Sequence, residues 1–286
     1  MERMRRIFLD TNQWNYLFES EKLSDTELRD FRERLAKKVR EGEIEIVASL
    51  PVLQEIVSMA RRLPEKYQQV SNYMFKIVGN KWLHPLNERY AKEVMTGEAL
   101  EPTSRYLSRD MRRQIQRSAS RNRDITEVGD ETYKSQLDYK KINEQTRADI
   151  KRELSIGDDA VTDFPKAYGE WWAQRDHHVD EWGRAVIDEG VKRKLISPQR
   201  AAATTASQVP SLTRYLLFRL AKVKLNVGND MKIQGSDEID ADVFGCSPYV
   251  DIIVTDDKGF HRTCSLIKLD GLQVINGSQF RKIIEE

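Results

Sequence analysis

Ile7-Phe8-Leu9-Asp10-Thr11-Asn12 is a short apolar run that ends on a carboxylate. Near the other end of the chain, Ile252-Ile253-Val254-Thr255-Asp256-Asp257 repeats the arrangement. Buried strands of parallel sheets read as short apolar runs, because helices cover both faces and no side chain needs to reach water. Open α/β sheets gather their chemistry at the carboxyl ends of strands. Two such ends carrying acids, drawn from opposite ends of the sequence, predict one acidic site assembled by folding. Carboxylates brought together repel unless a cation joins them, so the site calls for a divalent metal.

Working outward, Ser24 or Asp25 caps a helix that runs to about Arg40. Leu28, Phe31, Leu35 and Val39 recur in it at helical spacing, and Gly42 stands where a C-terminal glycine belongs. Ile44, Ile46 and Val47 form a second strand. Ser49 caps the next helix, with Pro51 in its first turn and Glu55 near its start. Trp82 to Leu86 reads as a short third strand interrupted by Pro85. From 97 to 235 strand-like runs vanish and Arg, Lys, Gln, Asp and Glu dominate, which predicts a helical insertion. Loops are expected near 126–130, 155–165 and 196–210, and the best amphipathic helix over Leu212–Leu225. The α/β pattern then resumes with a helix from Asp237, a strand over Asp251–Thr255 and a last strand over Leu272–Ile275. Ser278 is expected to cap a terminal helix carrying Phe280 and Ile284. This order predicts an α/β fold with a mostly parallel sheet, its core formed by 1–96 and 236–286 and its helical insertion by 97–235.

Composition narrows the class without choosing within it. The 286 residues are 39% hydrophobic and 33% charged, and 47 basic residues nearly balance 46 acidic ones. Net charge therefore says nothing about partners; only its distribution does. No apolar run reaches the length of a membrane span, and three apolar residues before Asp10 are too few for a signal-peptide core. Cys246 and Cys264 give neither a disulfide framework nor a zinc spacing, which points to reduced thiols in a cytoplasmic protein.

Four acidic loci fall at element ends: Asp10, Glu55, the cluster Asp237/Asp240/Asp242, and Asp256/Asp257. Taken singly, an aspartate after a strand is more often a cap or turn former, and Glu55 a solvated helix residue. Together they supply the oxygen ligands that Mg²⁺ or Mn²⁺ takes. Asp237 and Asp240 are three apart and share a helical face, whereas Asp242 points elsewhere. The spacing leaves open which of the three enters the site, and likewise leaves Asp256 beside Asp257.

Phe8-Leu9-Asp10-Thr11-Asn12, Ser49-Leu50-Pro51-Val52-Leu53-Gln54-Glu55-Ile56 and Asp251 through Phe260 resemble the PIN-domain family of metal-dependent nucleases. Gly271-Leu272-Gln273-Val274-Ile275 followed by Phe280 is similar to that family's last strand and helix. The resemblance covers Met1–Thr96 and Ser236–Glu286. It implies a PIN-like three-layer fold and a metal-dependent endoribonuclease acting on RNA or on single-stranded DNA. It also implies roles. Asp10, Glu55, Asp240 and Asp257 hold metal and position water, Asp237, Asp242 and Asp256 are alternative ligands, and Asn12 and Thr255 support the site. Family members are often toxins restrained by a protein partner, but this chain is much longer than the compact toxin form. A homodimer or an inhibitory partner is the corresponding expectation.

Two competing readings follow from the same residues. One keeps the PIN-like fold as a silent scaffold that binds RNA or protein; the other is a metal-dependent phosphatase. A haloacid-dehalogenase-like phosphatase needs a second aspartate two residues after the first, where this chain has Asn12. Arg105, Arg109, Arg113, Arg117 and Arg121 recur every four residues, a helical stripe suited to tracking a nucleic-acid backbone or an ordinary solvated face. His177 and Glu181 share a helical spacing but lack a third ligand, so a solvated helix is expected there.

Overall fold

A computed structural model describes residues 4–19, 23–59, 63–119, 164–229 and 237–286, with a few positions between 141 and 149. Its centre is a four-stranded, all-parallel sheet in the order β2-β1-β3-β4. The strands are β1 (Arg5–Leu9), β2 (Ile44–Val47), β3 (Ile252–Val254) and β4 (Gln273–Ile275). Ile7 pairs with both Ile46 and Ile252, so the amino-terminal strand lies between partners from the two ends of the chain. Ile7, Phe8 and Leu9 are all fully buried, which is why this strand reads as a continuous apolar run rather than an alternating one. Arg6 pins the register at the strand entrances: its N–H donates to Asp251 Oδ2 at 2.8 Å and its guanidinium to Oδ1 at 3.0 Å.

Helices dominate the described residues. In chain order they are α1 (Thr11–Tyr16), α2 (Asp25–Glu41), α3 (Leu50–Ser58), α4 (Pro64–Val78), α5 (Leu86–Thr96), α6 (Pro102–Arg105) and α7 (Arg109–Ala119). These are followed by α8 (Phe164–Ala173), α9 (Arg175–Lys192), α10 (Pro198–Ala202), α11 (Pro210–Asn229), α12 (Asp237–Gly245), α13 (Lys258–Ile267) and α14 (Gly277–Glu285). None is long and apolar enough to cross a membrane. Crossovers between parallel strands are right-handed almost without exception, so the link from β1 to β2 and the link from β2 back past β1 to β3, which run in opposite directions across the sheet, put their helices on opposite faces. On one face α2 packs on α14, with Phe31 and Phe280 edge to face at 5.9 Å. On the other, α3, α11, α12 and α13 pack on one another. Phe218 of α11 lies 5.2 Å from Phe244 of α12 and 5.0 Å from Phe260 of α13, centroid to centroid. Helix α11 lies inside the stretch 97–235, yet it packs directly on the two helices that flank β3.

Local chemistry explains where the elements begin and end. Ser24 accepts from the Glu27 N–H while Glu27 accepts from the Ser24 N–H, and Gly42 closes α2 at φ 77°. A cap of this kind contributes about 1 kcal/mol. Ser49 stands at the N-cap of α3, but its side chain bonds no helix N–H. Three expectations are corrected. The strand expected over Trp82–Leu86 shrinks to single bridges, Trp82 with Ala48 and Leu83 with Tyr106. Pro85 has no N–H to continue a ladder, and Leu86 already opens α5. The loop expected over 196–210 contains α10, capped by Ser197, and a 3-10 turn at Ala206–Gln208. The terminal helix is capped by Asn276 rather than Ser278, because Asn276 is extended and its side chain reaches the Gln279 N–H at 2.9 Å.

A buried polar network fastens α5 to α11 and α12. Arg89 is fully buried and donates to Asp242 Oδ1 at 3.0 Å and to Cys246 Sγ at 2.7 Å. Glu93, one turn along α5, accepts from the Ser211 N–H at 3.0 Å and from the Ser211 and Tyr249 hydroxyls. Removing one partner of a buried ion pair strands the other charge, at a cost of about 3–5 kcal/mol. Asp242→Ala is therefore expected to lower unfolding free energy by about that much in urea melts. A loss below about 1 kcal/mol would mean that Cys246 and Glu93 suffice to hold Arg89.

Candidate metal centre

Asp10 immediately follows β1 and caps α1. Its Oδ1 accepts from the Thr11 N–H at 2.7 Å, and its Oδ2 accepts from the Thr255 hydroxyl at 2.8 Å. Thr255 immediately follows β3 and is wholly buried. Its Oγ also accepts from the Asp257 N–H at 3.1 Å, so one hydroxyl sets both strand-end aspartates. The Asp10 N–H donates to the Val254 carbonyl at 3.0 Å, extending the parallel pairing to the acid itself. Asp257 caps α13 through the Phe260 N–H at 2.7 Å. Glu55 reaches in from α3 and accepts from the Thr11 hydroxyl. Thr11 thus links Asp10 to Glu55 much as Thr255 links Asp10 to Asp257.

The remaining acids divide three ways. Asp237 and Asp240 share the Lys222 ammonium, at 2.9 and 3.3 Å. Asp242 turns away onto Arg89. Asp256 accepts from Gln13 Nε2 at 2.8 Å and from the Gly277 N–H at 3.0 Å, which ties it to the start of α14. Asn12 is exposed on α1.

Electrostatics place the acids of β1, β3 and α12 around one space. Burial pushes Asp240 up to about 8; Lys222 opposes the shift, while Asp10, Asp257 and Asp237 add to it. Asp10 is raised by burial, opposed by its bonds from Thr255 and Thr11 and reinforced by Asp257 and Asp256. Glu55 is pushed up to about 7, first by burial and then by Asp10, against the Thr11 bond. Carboxylates that raise one another in this way attract a cation. All the donors are oxygen, which suits a hard divalent ion such as Mg²⁺ or Mn²⁺. Among the described residues, however, no three acidic, histidine or cysteine side chains stand grouped as ligands of one ion. Each acid has a partner within the protein: Thr11 bonds Glu55, Gln13 bonds Asp256, and Lys222 bonds Asp237 and Asp240.

The arginine stripe is not one continuous face. Tyr106 is extended (φ −102°, ψ 149°) and ends α6 after Arg105. Arg105 is buried, with its guanidinium 5.3 Å from the Tyr249 ring centroid and 5.9 Å from that of Tyr106. Arg109, Arg113 and Arg117 are exposed on α7, and Arg121 lies outside the described residues. Lys222, Thr11 and Gln13 join the site without having been singled out in the sequence. A lysine on the apolar helix over Leu212–Leu225 was the available clue to Lys222.

Comparison with protein-family models, with curated proteins and with solved structures finds no match to this chain.

A carboxyl whose folded pKa lies above its unfolded value keeps extra protons in the folded state, so stability falls as pH rises between the two values. For Glu55 that interval runs from the ordinary 4.5 to about 7. For Asp240 it runs from 3.8 to about 8. The metal-free protein is therefore expected to melt at lower temperature as pH rises from about 5 to about 8, and Glu55→Gln is expected to flatten that fall. Melting curves across this range check it; a melting temperature that rises with pH would contradict the shifts.

Proposed function

We propose that this chain is a PIN-like, divalent-metal-dependent nuclease, with RNA as its substrate. The observation that carries the reading is the hydrogen bond from Thr255 to Asp10. It joins the ends of two adjacent parallel strands, 245 residues apart in sequence, into one acidic edge. Asp10 and Asp257 are the central metal-holding carboxylates, with Asp240 facing them from α12 and Glu55 from α3. When bound, Mg²⁺ or Mn²⁺ supplies Lewis acidity toward the phosphodiester and offsets the charge of the acids. Thr255 keeps Asp10 and Asp257 in register. Thr11 orients Glu55, whose pKa near neutrality suits it to accept a proton from the attacking water. The exposed arginines of α7 supply charge complementary to a nucleic-acid backbone.

A second reading, a scaffold that binds RNA or protein without cutting it, draws on Lys222. Its ammonium already answers the charge of Asp237 and Asp240. Cleavage assays on RNA and single-stranded DNA with Mg²⁺, Mn²⁺ or EDTA separate the two readings. Asp10→Asn is expected to reduce metal-dependent cleavage by at least about 100-fold while the protein stays folded. Undiminished cleavage by this variant would remove Asp10 from the chemistry, and release of phosphate from small esters without cutting RNA would favour a phosphatase. Replacing Arg109, Arg113 and Arg117 with Ala is expected to weaken RNA binding and to lower the slope of log affinity against log salt by about 2. An unchanged slope would return these arginines to an ordinary solvated face.

A further inference from the structure

We infer that Lys222 stands in for a second cation, so that the centre takes one divalent ion, at its Asp10–Asp257 end, and not a pair. The inference rests on the proposed metal centre and specifies how many ions it holds. Paired ions in phosphodiester-cleaving sites stand about 3.5–4 Å apart and share carboxylates between them. Here the acids fall into two sets. Asp237 and Asp240 are both engaged by one ammonium, which reaches in from α11 and is only 13% exposed in its side chain. Asp10 and Asp257 are ordered by Thr255, and among the described residues neither forms an ion pair with a lysine or an arginine. The two sets adjoin. A Cβ placed on Gly259 would stand 3.0 Å from Asp257 Oδ1 and 3.7 Å from Lys222 Nζ, so carboxylate and ammonium border the same bare Cα.

Lys222 is also held from behind. Its Nζ lies 5.6 Å from the centroid of Phe218, the ring that packs against Phe244 and Phe260. A divalent ion claiming the Asp237 and Asp240 oxygens would have to expel a buried ammonium from two hydrogen bonds, against like-charge repulsion. An ion at Asp10 and Asp257 displaces no cation. The ammonium then remains as a fixed positive charge at the edge of the centre, with donors able to meet a phosphate oxygen.

Calorimetric titration with Mn²⁺ counts the ions directly. The wild type is expected to bind one. Lys222→Met, which keeps the length of the side chain and removes its charge, is expected to bind two, and Lys222→Arg one. Two ions in the wild type would overturn the inference and leave the metal centre standing. The same count and affinity in wild type and Lys222→Met would also overturn it, since Lys222 would then hold no cation position. Binding by Lys222→Met alone would overturn the one-ion count, showing that the ammonium fills the only position. Absence of binding by every folded variant would overturn the metal centre and the inference together. The wild-type count is decisive even if Lys222→Met does not fold.

Discussion

Parallel pairing of β1 with β3 is the constraint on which the remaining architecture depends. It brings Ile7 against Ile252 and carries the pairing onward to Asp10 through the Val254 carbonyl. Closing so long a segment costs entropy that grows only logarithmically with length, so a large intervening stretch is tolerated once the register is secure. The register is held at both ends: by Arg6 on Asp251 where the strands enter and by Thr255 on Asp10 where they leave. A slip of one residue would turn every side chain of β1 to the opposite face and separate the two acids that define the edge.

Holding carboxylates together in a buried space is unfavourable, and the protein meets that cost with neutral donors and one cation. Asp10 takes two neutral donors, Glu55 a hydroxyl, Asp256 an amide side chain and a helix N–H, and of these acids, among the described residues, Asp237 and Asp240 alone receive a full positive charge. Hydroxyl and amide donors fix direction without cancelling charge. Burial raises Asp10, and pushes Glu55 up to about 7 and Asp240 up to about 8, against the opposing pull of the hydroxyl donors and of Lys222. Asp242 is the counterexample, because a fully buried guanidinium has already claimed it for the fold.

Much of this was legible in the sequence because it is local. Apolar triplets ending in acids marked β1 and β3, a cap at Ser24 or Asp25 and a glycine at 42 bounded α2, and the three-residue spacing put Asp237 and Asp240 on one face. What was hidden depends on contacts across the chain. Trp82-Leu83 has the composition of a strand, but Pro85 denies it a ladder. Arg105 keeps the four-residue period of the stripe, yet residues 106–108 break the helix between Arg105 and Arg109, and Arg105 is buried against Tyr249. Lys222 looks like one polar residue in an amphipathic helix. Its partners come from an element that follows it in sequence, and no spacing rule pairs them.

Helix α11 crosses the boundary that composition draws. By sequence it belongs to the polar stretch between the two α/β segments, but its rings are core and its lysine lies in the acidic edge. Phe218 completes a trio of aromatic rings with residues from α12 and α13, and Ser211 completes the hydrogen bonding of Glu93. Excising 97–235 as a detachable module would thus open the hydrophobic layer beneath β3 and leave a buried carboxylate short of donors. Helix α9 packs on α11 and on α5, and Ile187, Ile196 and Val209 are buried in the same core, so among the described residues the helices ahead of Pro210 are interior as well, and the edges drawn by composition mark no border along which the helical segment separates from the sheet.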